Sequence, residues 1–205
     1  MSTLEVILNK FNIGDFTKVN MPIDLLQATR LDLADLFCEL KFETGVEIGV
    51  QEGLYSEQIC LRNPNLKKHY SIDGWKAYRG YRDHVNQTKM DNFYAEAKSR
   101  LSKYPIEIIK SFSLDAIKNF KDNSLDYVYI DGNHSFDHVI QDIIQWSAKV
   151  RPGGIIAGHD FIRRIMEPVH VIQATQVYTY CHKISPWFTV GGSTKETRSF
   201  FWIKV

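Results

Sequence analysis

Apolar positions along this chain follow two alternating rhythms. Short, largely apolar runs at residues 44–48 (TGVEI), 69–73 (HYSID), 106–110 (IEIIK), 125–130 (LDYVYI) and 155–158 (IIAG) have the length and composition of strands. Between them, residues 55–62, 91–103 and 135–150 repeat apolar residues every three or four positions, which predicts helices, and another helix opens near Ser113 and runs towards Phe120. In the 135–150 helix the predicted stripe is Val139, Ile143, Ile144 and Trp146. Breakers separate the units: Asn63-Pro64-Asn65, Tyr104-Pro105 and Arg151-Pro152-Gly153-Gly154. The run at 125–130 is apolar at nearly every position, the pattern of a central parallel strand covered on both faces.

The two ends read differently. From Pro22 onward, Leu25, Leu26, Leu31, Leu33, Leu36, Phe37 and Leu40 fall at helical spacing, which predicts one or two helices with the proline at a helix start. Residues 1–20 are mixed, with a turn at Gly14-Asp15, and their role as lid, arm or oligomer contact stays open. The tail predicts a helix over 167–183, a strand over 187–190, a turn at Gly191-Gly192-Ser193-Thr194 and a last strand over 199–205. Strand–helix alternation followed by a hairpin predicts an α/β, Rossmann-like, doubly wound sheet, mostly parallel with an antiparallel last strand. Residues 1–40 form an N-terminal helical segment or arm, and 41–205 the main domain.

Composition narrows the function. A chain of 205 residues suits one domain with a full core. Lys+Arg 25 against Asp+Glu 24 leaves a net charge of +1, so nucleic acid is disfavoured as a partner. A local patch of Lys76, Arg79, Arg82 and Lys89 remains able to grip a phosphate. Cys38, Cys60 and Cys181 show no C-x-x-C spacing and read as buried free thiols of a reducing compartment. No apolar run is long enough for a membrane span, and a cytoplasmic protein is expected, with a homo-oligomer left open.

The chemistry concentrates in the turn after the 44–48 strand. Glu47, Gly49 and Gly53 make an E-x-G-x-x-x-G turn, with Gln51 and Glu52 inside it, that matches neither a dinucleotide fingerprint nor a phosphate loop. Its acids would repel a pyrophosphate and suit a ligand that carries an ammonium group. Asp73, twenty residues after Gly53, stands where a carboxylate accepts from a ribose diol. Trp75 follows it in a loop that either covers a ligand or is merely solvated. Ser113 can cap its helix or meet an adenine edge. Because ligands bind off the carboxyl ends of parallel strands, Glu47, Asp73, Asp131 and Asp160 are expected on one rim.

With these residues in place, the chain resembles the class I S-adenosylmethionine-dependent methyltransferases, and within them a small family marked by IDGNHSFD and GGIIAGHDF motifs. The resemblance covers about residues 43–162. It implies seven strands with the seventh antiparallel, S-adenosylmethionine as cofactor, and Glu47, Gly49 and Gly53 beside its methionine part. It further implies Asp73 at the ribose and Ser113 on the adenine side, and Trp75 and Asp131 are expected as further cofactor contacts. Gln51 stands where the family commonly has a middle glycine.

Methyl transfer needs an aligned, deprotonated nucleophile. Asp131 and Asp160 are expected as neighbours that hold a hard divalent ion such as Mg²⁺. In related O-methyltransferases a third oxygen ligand follows the second acid, and here that place holds Phe161. His134 or His159 completes the shell or acts as base, and each has a plain structural alternative. The expected reaction is O-methylation of a small hydroxylated, sugar-like or metabolite acceptor. A non-catalytic cofactor-binding module or partner subunit is the competing expectation, and a nicotinamide-dependent oxidoreductase fits the turn less well.

Overall fold

Alternation along the central strand decides how this fold is layered. In the computed structural model, which describes residues 1–78, 86–163, 169–192 and 197–205, the chain runs α1 (Thr3–Lys10), β1 (Ile23–Leu25), α2 (Arg30–Glu39), β2 (Thr44–Ile48), α3 (Leu54–Arg62) and β3 (Lys68–Asp73). It continues through α4 (Gln87–Leu101), β4 (Ile106–Lys110), α5 (Ser113–Ala116), β5 (Leu125–Ile130), α6 (Phe136–Ser147), β6 (Val150–Gly158), α7 (Val171–Cys181), β7 (Trp187–Val190) and β8 (Ser199–Ile203). On β5, Val128 and Ile130 join a core with Val139, Ile143 and Trp146 of α6 and Ala174 of α7. Tyr127 and Tyr129 point the other way, into a core with Ile7 of α1, Leu33 and Phe37 of α2 and Ile59 of α3. Each such buried aliphatic side chain contributes about 1.5–3 kcal/mol.

The eight strands lie in the order β1-β7-β8-β6-β5-β2-β3-β4. All neighbours are parallel except β8, which runs antiparallel to both β6 and β7. The seven expected strands are present, and the hairpin of β7 and β8 supplies the antiparallel member. β2 pairs with β3 on one side and β5 on the other, so the winding reverses between β2 and β5, which places the ligand crevice of such a sheet there.

Several expectations are corrected. Residues 23–25 form an eighth strand on the sheet edge instead of a helix. Ile23 and Leu25 point into the core while Asp24 faces out, a period of two that the leucine count concealed. Pro22 therefore opens no helix; α2 begins after Thr29, whose hydroxyl and Asp32 form a capping box. Within residues 1–20, Ser2 and Glu5 cap α1 in the same way, and Ile7 is fully buried. Ile144 is half exposed and lies off the α6 stripe. The Arg151-Pro152-Gly153-Gly154 run lies inside β6, since the helix has already ended at Ser147. Cys38 and Cys60 are partly buried, but Cys181 is exposed. Residues 79–85, 164–168 and 193–196, which include Arg79 and Arg82 of the basic patch, the start of the 167–183 helix and part of the 191–194 turn, lie outside the described residues. Among the described residues, no helix is long and apolar enough to cross a membrane.

Candidate active site

Two cavities open side by side at the carboxyl ends of β2, β3, β5 and β6, and Gly49 lines both. Gly49 has φ +85°, and a Cβ there would stand 2.0 Å from the Asp131 carbonyl oxygen, so glycine lets the end of β2 cross close to the end of β5. Gly53, at φ +81°, caps α3 with its backbone, and its missing Cβ makes room for Leu101. Between them Gln51 adopts φ +50°, a left-handed conformation ordinarily left to glycine.

The first cavity, about 430 Å³, has apolar walls from Ile48, Ile72, Phe112 and Leu114. Asp73 stands at its rim. Its Oδ2 accepts from the amides of Val50 and Gln51 at 2.9 and 3.0 Å, and its Oδ1 accepts from the Trp75 amide at 2.8 Å. The carboxylate therefore ties β3 to the glycine turn of β2. Trp75 lines the cavity, yet its side chain is fully buried. Its indole donates to the Gln51 carbonyl at 2.8 Å and packs on Tyr94, so it braces the turn. Ser113 also lines the cavity, but it does not cap α5, whose N-cap is Phe112. Its hydroxyl accepts from the Trp146 indole at 2.7 Å and donates to Asp142 Oδ1.

The second cavity, about 270 Å³, is polar and collects Arg30, Glu47, Glu52, Asp131, His134, His159 and Asp160. Asp131, His134 and Asp160 offer ligand atoms all within 4.8 Å of one another, and His134 Nε2 lies 3.0 Å from Asp160 Oδ2. Asp160 holds φ +52°, a strained backbone at a strand end. Burial pushes the Asp131 carboxyl well above the usual range; His134 offsets this, while Asp160 and Glu47 add to it. Glu47 is pushed up to about 8, chiefly by burial, although Ser56 donates to it. His159 is pushed down to about 4 by burial, and its Nδ1 lies 3.1 Å from the Tyr129 hydroxyl and 2.9 Å from Ser199 Oγ. Phe161 is buried against Trp187 and Phe200 and offers no ligand atom.

The four strand-end acids thus share one rim, divided between the two cavities: Asp73 in the first, Glu47, Asp131 and Asp160 in the second. Two residues that line these cavities escape sequence reasoning. Arg30, at the start of α2, brings a cation to the second cavity from the segment read only as an arm. Asp142 looks like an ordinary polar residue of α6, yet it is buried at the first cavity. For Asp142 the available signal was its place between the core positions Ile143 and Val139, which turns it inward.

A family model described as a methyltransferase domain matches residues 46–161. No curated protein matches the sequence. Among solved structures the fold is similar to an O-methyltransferase from Bacillus cereus in complex with SAH, at 15% identity and TM-score 0.60, covering 98% of this chain and 90% of that one. The O-methyltransferase TomG from Streptomyces achromogenes, involved in tomaymycin synthesis and in complex with SAM, matches at 15% identity and TM-score 0.60, covering 99% and 89%. A spermidine synthase from Thermotoga maritima matches at 10% identity and TM-score 0.55, covering 84% and 57%. At these identities the likeness is one of fold.

Proposed function

The chain belongs to the methyltransferase domain family, and on that premise we propose that it transfers a methyl group from S-adenosylmethionine to an oxygen of a small hydroxylated, sugar-like or metabolite acceptor. The observation that carries this reading is the pairing of cavities at Gly49. An apolar slot with a carboxylate at its rim suits a purine riboside, and the adjoining cavity with four acidic side chains suits a ligand that is cationic at its other end. A dinucleotide would bring a pyrophosphate into those carboxylates.

In this reading residues 41–205 form the transferase unit, and residues 1–40 supply Arg30 to its site. Asp73 accepts from the ribose diol at the Oδ1 site left over from the three amides, and Ile48, Ile72, Phe112 and Leu114 enclose the purine. Trp75 acts through the turn it braces. Glu47 and Asp131 present carboxyl oxygens that accept from the ammonium group, whose charge favours their ionised forms.

Asp131, His134 and Asp160 fit a divalent ion, because two partly buried carboxyl groups and a ring nitrogen offer ligand atoms within 4.8 Å of one another. His134 takes the place that Phe161 leaves empty of a donor. When bound, the cofactor supplies an electrophilic methyl on sulfur and the ion lowers the pKa of a nearby hydroxyl. The chain's own part is to align that hydroxyl, exclude water and accept its proton at Asp131 or His134. His159 is a weak base in its buried setting, and its bonds to Tyr129 and Ser199 suit it to holding the cavity wall.

The test is methyl transfer from labelled S-adenosylmethionine to a panel of hydroxylated acceptors. Activity that disappears in Asp160→Ala while cofactor binding persists, and in Asp131→Ala at saturating cofactor, supports the assignment. Full turnover in either variant removes that residue from the chemistry.

A further inference from the structure

Asp142 is a buried carboxyl with, among the described residues, one of its two oxygens engaged. Only 6% of the residue is exposed, and it is the one fully buried acid among the residues that line the first cavity. The hydrogen-bond directions around it follow from donor chemistry. Trp146 Nε1 can only donate, so Ser113 Oγ must accept from it. The single hydroxyl proton of Ser113 then goes to Asp142 Oδ1. Oδ2 makes no hydrogen bond to the protein among the described residues, and it stands 3.9 Å from where a Cβ on Gly132 would sit, at the mouth of the crevice between β2 and β5. A carboxylate oxygen at the edge of an apolar slot needs a donor from whatever fills the slot.

Resting on the cofactor reading above, we propose that Asp142 Oδ2 accepts from the exocyclic amine of the cofactor's purine and so selects adenine over an oxo-purine. Burial raises the Asp142 carboxyl to about 6, with the Ser113 hydroxyl working against that rise, so it is ionised and acceptor-only at neutral pH. An adenine presents an amine there. A hypoxanthine presents a carbonyl oxygen, which would leave two acceptors facing each other without a proton between them.

The same geometry predicts how an amide would behave at this position. In Asp142→Asn the Ser113 hydroxyl still needs an acceptor, so the amide oxygen turns to Ser113 and the amide NH₂ faces the slot. The site becomes a donor, and its preference should turn towards the oxo-purine.

The experiment is titration of wild type and Asp142→Asn with S-adenosylhomocysteine and S-inosylhomocysteine at neutral pH. Wild type should favour the adenosyl compound by about tenfold or more, the usual worth of a charge-assisted hydrogen bond. Asp142→Asn should cancel or reverse that ratio. Equal wild-type affinities, or the same ratio in both proteins, would overturn the assignment to Asp142 while leaving the cofactor reading standing. Failure of wild type to bind either compound would remove the cofactor reading itself, and the inference with it. The wild-type ratio does not depend on how well the variant folds.

Discussion

Asp73 accepts the backbone amide of Val50 at 2.9 Å, so one carboxylate both marks the end of β3 and anchors the glycine turn of β2. Two further amides, from Gln51 and Trp75, complete the clamp. Replacing Asp73 by alanine should therefore destabilise the protein by about 1–3 kcal/mol, as two part-buried amides and one exposed amide lose their partner. It should also weaken S-adenosylhomocysteine binding at least about tenfold. Asp73→Asn keeps one acceptor oxygen and should lose less of both. Urea denaturation and titration on the two variants measure the split. An alanine variant of wild-type stability would show that the clamp contributes nothing.

Gly49 and Gly132 face each other across the crevice but tolerate side chains differently. A Cβ on Gly49 would meet the Asp131 backbone at 2.0 Å, at a positive φ. A Cβ on Gly132 would meet Ile48 and Asp142 at 3.7 and 3.9 Å, ordinary contact distances. Gly49→Ala should cost about 3 kcal/mol or more, from overlap and backbone strain together, whereas Gly132→Ala should leave stability within about 1 kcal/mol of wild type. Thermal melts decide this directly, and equal losses would contradict it.

On the proposed reading, the three-donor cluster would have a metal preference set by its donor atoms. A ring nitrogen from His134 beside the Asp131 and Asp160 carboxylates favours Mn²⁺ or Co²⁺ over the all-oxygen preference of Mg²⁺. Calorimetry should give tighter binding of Mn²⁺ than of Mg²⁺, with the difference narrowed in His134→Ala. Turnover that survives excess EDTA would leave Asp131 or His134 working without an ion.

A buried polar chain beneath the site fixes a pH dependence of stability. Glu47 is bonded to Ser56, which lies 3.3 Å from His69 Nε2, while His69 Nδ1 meets the Tyr127 hydroxyl at 2.8 Å. Burial depresses His69 from 6.5 to about 3, so the folded state binds fewer protons there and stability rises with pH across that interval. Glu47 is raised from 4.5 to about 8, so its contribution falls with pH from 4.5 up to about 8. Each changes stability by about 1.4 kcal/mol per pH unit. The two oppose each other between pH 4.5 and 6.5, and only the Glu47 loss continues to pH 8. The stability of Glu47→Gln relative to wild type should therefore increase steadily from pH 5 to pH 8 in urea denaturation. A pH-independent difference would mean that Glu47 is ionised throughout.

Much of this architecture is legible in the residues themselves. The strands at 44–48, 106–110 and 125–130 were bounded correctly because each is a short apolar run closed by a charged, glycine or turn residue. The strand-end acids followed from the same logic, since parallel strands place their carboxyl ends on one rim. β1 was not legible: three residues are too few to show a period, and the leucines around them sit at helical intervals by coincidence. Asp142 and Arg30 were hidden for another reason. Their roles depend on which way one helical position faces after packing, and on a segment distant in sequence folding against β2. Ser113 looked like a cap, but the buried Trp146 indole claims its hydroxyl oxygen, a contact made across 33 residues.

The central claim is that the paired cavities at Gly49 hold a cofactor with a purine riboside at one end and an ammonium group at the other. Isothermal titration of the purified protein with S-adenosylhomocysteine, with NADH as the control ligand, tests it most directly. The account predicts saturable binding of one equivalent of S-adenosylhomocysteine, weakened in Asp73→Ala, and no binding of NADH. Binding of NADH alone, or of neither compound, would contradict it.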